Sequence, residues 1–286
     1  MRKHYPLLLA LGLTACATTA TPEASDSNLP ATFKDGFAYL KVSVNGASPV
    51  WMELDDGTSP SAINLDYAKS LGLVLKPGAG SGTGFGTQKI AFFNTRASLA
   101  AGDAERTIDF SAAPLTGLTG PDGQQLQGVL GYSFLKDRIV EIDYPKGEVR
   151  LLATSPPCTC DLKMGIDNDI PTVPLTLAGH AMTALVDSGG AYELLVTPAG
   201  VKAAGLDAWA AQAKPVTGYG YAGAQTAALG SAPDFTVGGI VRTNPSAVYS
   251  TFGTAPLKTQ AALGTWFLRN YKVTLNYRAR TVRFER

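Results

Sequence analysis

Two halves of this chain follow one plan. Val42-Ser43-Val44-Asn45-Gly46 and then Trp51-Met52-Glu53-Leu54-Asp55-Asp56-Gly57 read as strand, tight turn, strand and acidic turn. Leu175-Thr176-Leu177-Ala178-Gly179 and then Thr183-Ala184-Leu185-Val186-Asp187-Ser188-Gly189 read the same way. Each half continues through an apolar patch, Ala62-Ile63 or Leu194-Leu195-Val196, into a short helical segment ending in Leu71-Gly72-Leu73 or Ala204-Gly205-Leu206. The far ends agree best: Val129-Leu130-Gly131-Tyr132-Ser133-Phe134-Leu135 matches Ala262-Leu263-Gly264-Thr265-Trp266-Phe267-Leu268. Gly131 and Gly264, and equally Tyr144 and Tyr277, are 133 residues apart. A fixed offset over so many positions marks an internal duplication. The two units span residues 33–152 and 171–286, and 153–170, with Ser, Pro-Pro, Cys, Asp and Asn, joins them as a linker. A unit duplicated in one chain is expected to pack on its twin about a pseudo-two-fold axis, giving a monomeric pseudo-dimer.

The apolar residues come in short runs between turn signals, and Gly (31) and Pro (18) are frequent, so the fold is expected to be mainly β with few short helices. The net charge of +1, without basic runs, argues against a nucleic-acid partner, which demands clustered Lys and Arg. Histidine is scarce: beyond the N-terminal segment there is only His180, in a turn. A Ser-His-Asp triad would have to use it, and a multi-histidine metal site cannot be built. No metal and no cofactor is expected. Cys158 and Cys160, in Pro-Pro-Cys-Thr-Cys-Asp, lack the further ligands of a structural zinc site. They read as a linker feature, with a local disulfide left open.

An Asp-Gly or Asp-Ser-Gly turn alone is ordinary hairpin sequence. Two at equivalent places in a duplication, each with an apolar-apolar-Gly segment some 70 residues later, resemble the retropepsin-like and pepsin-like aspartic proteases. The resemblance covers nearly the whole chain after residue 32. It implies two tandem acid-protease β-barrel lobes, each giving one catalytic aspartate, Asp55 and Asp187, with Asp56, Gly57, Ser188 and Gly189 supporting the loops. Two carboxylates about 3 Å apart cannot both ionise, so they share a proton. One then acts as base toward water and the other as acid toward a peptide carbonyl.

The first lobe departs from the pattern, with Asp56 where the family has Thr or Ser. That hydroxyl both accepts and donates across the lobe interface, whereas an ionised carboxylate only accepts. Asp56 therefore raises a rival to an endopeptidase acting on peptides or proteins, namely an inactive relative that binds peptides or envelope proteins. Paired-carboxylate glycosidases fit the two Asp turns less well. Gly82-Thr83-Gly84-Phe85-Gly86-Thr87-Gln88 and Thr217-Gly218-Tyr219-Gly220-Tyr221-Ala222-Gly223 lie where substrate-covering flaps are expected, with Phe85, Tyr219 and Tyr221 lining the groove. Neither is a convincing phosphate loop, since no Lys-Ser/Thr pair follows.

The N-terminus reads as an export signal. Arg2, Lys3 and His4 precede the apolar residues 7–13, a run too short to span a bilayer. Leu13-Thr14-Ala15-Cys16 resembles the bacterial lipobox, which implies diacylglycerol on the Cys16 thiol, membrane attachment through that lipid, and residues 1–16 as the signal peptide. Residues 17–32 read as a flexible tether, and Ala17 after the cysteine favours the outer membrane.

Overall fold

The computed structural model describes residues 25–82, 90–220, 223–250 and 258–286. The first lobe is an eight-stranded sheet, in which Phe37–Val44 pairs with Val50–Leu54 and also reaches back to Ile90–Ala101. Leu40, Val42, Val44, Met52 and Leu54 are wholly buried, so alternate residues of two adjacent strands supply one face of the core. Removing such side chains from water contributes roughly 1.5–3 kcal/mol each. The turn between the strands is Asn45-Gly46, both at positive φ (49° and 73°), the geometry that suits a right-twisted hairpin.

The second lobe repeats this construction. Ile170–Leu177 and His180–Val186 form the equivalent hairpin around Ala178-Gly179, again with both φ angles positive. Val50–Leu54 lies parallel to Gly128–Leu130, which runs antiparallel to Ser61–Asn64, itself parallel to Ala104–Ala113. His180–Val186, Ala261–Leu263, Leu194–Val196 and Ser246–Tyr249 have the same order and directions. The short helices Leu65–Ser70 and Pro198–Ala204 are capped by Asn64 and Thr197 and end near Gly72 and Gly205, both at positive φ. The mainly β, two-lobed architecture expected from the duplication is thus present. Asp207–Gln212 is a helix in the second lobe alone.

A six-stranded sheet joins the lobes, with Ile139–Asp143 of the first lobe antiparallel to Lys272–Asn276 of the second at its centre. The register is symmetric. Ile139 faces Asn276 and Asp143 faces Lys272, while Glu141 faces Thr274, its own counterpart 133 residues on. Such a pairing marks a local two-fold axis. Ser27–Leu29 forms an edge of this sheet against Glu148–Leu152, so strand begins inside the segment expected as tether, because Leu29 is buried there. Within 153–170, Leu162–Lys163 pairs with Thr281–Glu285, and Cys158 and Cys160 are joined in a disulfide.

Candidate active site

Each acidic turn is held from below by the apolar-apolar-Gly segment of its own lobe. The Asp55 N–H donates to Leu130 O and the Asp187 N–H to Leu263 O, both at 3.0 Å. Tyr132 N–H donates to Thr58 O, and Thr265 N–H to Gly190 O. Gly131 permits this contact, since a methyl group there would lie 2.0 Å from Thr58 O.

The two turns meet at the junction of the lobes, and Asp55 and Asp187 share a hydrogen bond. Glycine makes the approach feasible. A methyl group on Gly57 would fall 2.4 Å from Asp187 Oδ1, and one on Gly189 would fall 2.3 Å from Asp55 Cγ. The same glycines orient the carboxyls through their N–H groups: Gly57 donates to Asp55 Oδ1 at 2.8 Å and Gly189 to Asp187 Oδ1 at 3.2 Å. Burial pushes both carboxyls above the ordinary range, and the charge of Asp55 helps raise Asp187 to about 7. The pair therefore titrates as a unit and holds one proton between its two carboxyls.

Asp56 and Ser188 lock the lobes together. Asp56 N–H donates to Ser188 Oγ at 3.0 Å, Ser188 N–H donates to Asp56 Oδ1 at 2.6 Å, and Ser188 Oγ donates to Leu54 O at 3.2 Å. Ser188 thus plays both the accepting and the donating part. Asp56 takes the accepting part with Oδ1, while Oδ2 is buried with no hydrogen-bond partner among the described residues. Burial, reinforced by the charges of Asp55 and Asp187, holds the Asp56 carboxyl far above the usual range despite the Ser188 N–H. A neutral acid at this place accepts as a hydroxyl would and adds no charge to the cleft.

The outer oxygens of the pair are bound differently. Thr58 Oγ1 donates to Asp55 Oδ2. The matching position in the second lobe is Gly190, where a methyl group would meet the Tyr192 ring at 2.5 Å and Asp187 Oδ2 at 2.7 Å. Into that space comes the Tyr192 hydroxyl, which donates to Asp187 Oδ2. Sequence reading misses both donors, and Tyr192 leaves no trace in the repeat because a missing side chain two residues earlier creates its place.

The flap segments follow equivalent hairpins, Lys76–Gly82 with Ile90–Ala101 and Lys214–Gly220 with Gly223–Ser231. Phe85 and Tyr221 lie outside the described residues, as does Cys16. Tyr219 is placed by its backbone, paired with Ala224. His180 is exposed at the hairpin turn.

A family model described as aspartyl protease matches the chain twice, over residues 40–134 and 173–267. Each match begins in the first strand of a core hairpin and ends on the helical turn after the apolar-apolar-Gly segment. No curated protein matches the chain.

Proposed function

Because the chain belongs to the aspartyl protease family, we propose that it is an aspartic-type endopeptidase that hydrolyses peptide bonds with Asp55 and Asp187. The observation that carries this reading is the shared hydrogen bond of two buried carboxyls, each oriented by its own glycine N–H and side-chain hydroxyl. Ionised Asp55 takes a proton from a water molecule whose oxygen attacks the peptide carbonyl carbon. Protonated Asp187 gives its hydrogen to the carbonyl oxygen, so no covalent enzyme intermediate forms. The tetrahedral diol then collapses as a proton passes to the amide nitrogen, and the C–N bond breaks. The direct test is cleavage of a denatured protein substrate across about pH 3 to 8, by the wild-type chain and by variants of either aspartate. A folded chain that cleaves nothing would instead favour peptide binding without turnover.

Activity requires the pair to hold one proton, so it should fall as pH rises through about 7, where Asp187 ionises. Tyr192 donates to Asp187 and so favours its ionised form. Tyr192→Phe removes that donor while keeping the ring, and the upper limb of the pH profile should move up by about one unit. A purely structural role would lower the rate and leave the limb in place.

We further propose that the enzyme works in the bacterial envelope, anchored through lipid on Cys16 at the periplasmic face of the outer membrane. The lipobox-like residues 13–16 and the export signal before them support this reading. Cys16→Ser should move the protein from the membrane to the soluble fraction, since the acyl chains supply about 0.8 kcal/mol per buried methylene. Retention in the membrane fraction would overturn the anchor.

A further inference from the structure

The strand that delivers Asp55 carries a second acid toward the same side. Along Val50–Leu54, Met52 and Leu54 enter the core, while Trp51 and Glu53 are half-buried on the opposite face, which Asp55 continues. Glu53 lies opposite Tyr39 on one side and Val129 on the other. Both belong to a small apolar cluster with Ala62, Leu115 and Leu126, separate from the main core. The described ion pairs leave Glu53 without a cationic partner, and Lys41, opposite Trp51, stacks on that ring.

The second lobe has an apolar residue at the matching place. Leu185, two residues before Asp187, is buried against Ile170, Tyr192, Leu195 and Ala262. Tyr192 of this cluster donates to Asp187 itself, so the patch adjoins the paired carboxyls. An extended peptide laid over the pair has side chains alternating to opposite sides, and the two lobes offer those side chains unlike surfaces.

We infer that Glu53 is a specificity-determining residue, which selects substrates with a lysine or arginine side chain on one flank of the scissile bond and an apolar side chain on the other. This rests on the endopeptidase reading above. An unpaired carboxylate on an apolar bed is a ready partner for a cation, and desolvation strengthens the attraction. Burial and the charges of Asp55 and Asp187 raise Glu53 well above the usual carboxyl range, and an arriving cation would draw it back toward ionisation.

The test compares two peptide series differing only by lysine or norleucine at the position flanking the cleaved bond, using the full chain and its Glu53→Gln and Glu53→Leu variants. In the wild type, kcat/KM should favour the lysine series by roughly tenfold or more, and both variants should lose that ratio. Equal cleavage of both series, with a ratio unmoved in the variants, would overturn the inference and leave the endopeptidase reading intact. If the wild type cleaves neither series, the endopeptidase reading fails. Fluorescence polarisation of both peptides then decides the specificity separately: stronger lysine-peptide binding lost in the variants supports it, and equal binding overturns it. Should Glu53→Leu fail to fold, the isosteric Glu53→Gln carries the comparison.

Discussion

Asp187→Asn is expected to reduce kcat/KM on a denatured protein substrate by about 10⁴-fold while leaving the fold intact. Asparagine has the size of aspartate: its carbonyl can still accept from the Gly189 N–H, while its NH2 group, in the place of Oδ2, can donate to the Tyr192 hydroxyl. It cannot hold or release the shared proton. Asp55→Asn should cost as much, and the double variant little more than either alone, because the pair acts as a unit. Thermal unfolding checks the fold: removing one of two adjacent buried acids should leave the midpoint at neutral pH unchanged or higher. Either variant cleaving at the wild-type rate would show that the hydrolysis, if any, has another origin.

Asp56 should make the chain more stable in mild acid than at neutral pH. Its folded-state carboxyl sits far above its ordinary value, chiefly through burial. Between the unfolded and the folded value, the native state holds a proton that the unfolded chain has released. Stability is therefore complete below the unfolded value and is lost as pH rises toward the folded one, at about 1.4 kcal/mol per pH unit for each such group. Asp55, Asp187 and Glu53 are shifted the same way and add to the slope. Asp56 can be changed without touching the paired carboxyls. Tyr144 and Tyr277, equivalent residues whose hydroxyls are buried without partners among the described residues, are both pushed up by burial and then by the charge of Asp56. Asp56→Asn keeps an acceptor for the Ser188 N–H and cannot ionise. Urea denaturation at about pH 4, 6 and 8 should show a falling midpoint in the wild type and a flatter series in the variant, with the two crossing so that the variant is the more stable at pH 8. Parallel series would mean that Asp56 titrates in the native state as in the unfolded one.

How much of this was legible in the residues follows from the range over which each feature is decided. The acidic turns, their supporting glycines and the core hairpins rest on local patterns: alternation in Leu40, Val42 and Val44, positive-φ turns at Asn45-Gly46, an apolar strand running into Asp-x-Gly. The duplication then placed Asp55 beside Asp187. Tyr192 was not legible, because its hydroxyl depends on the space above Gly190. The edge strand Ser27–Leu29 looked like tether because its partner lies more than a hundred residues on. Asp56 was legible as a departure, but its neutral, accepting role depends on the Ser188 N–H and on burial that only the assembled lobes create.

The central strands of the inter-lobe sheet, Ile139–Asp143 and Lys272–Asn276, are matched symmetrically about Glu141, so that Ile139 faces the counterpart of Asp143 and Asp143 the counterpart of Ile139. Two copies of one lobe could make the same junction with each other. In a symmetric pair of that kind every change is made twice, and Asp56 would face Asp56, two buried acids at the axis. Asp56 opposite Ser188, Thr58 opposite Gly190 and Glu53 opposite Leu185 are asymmetries that a chain carrying both lobes can hold and a symmetric pair of identical lobes cannot.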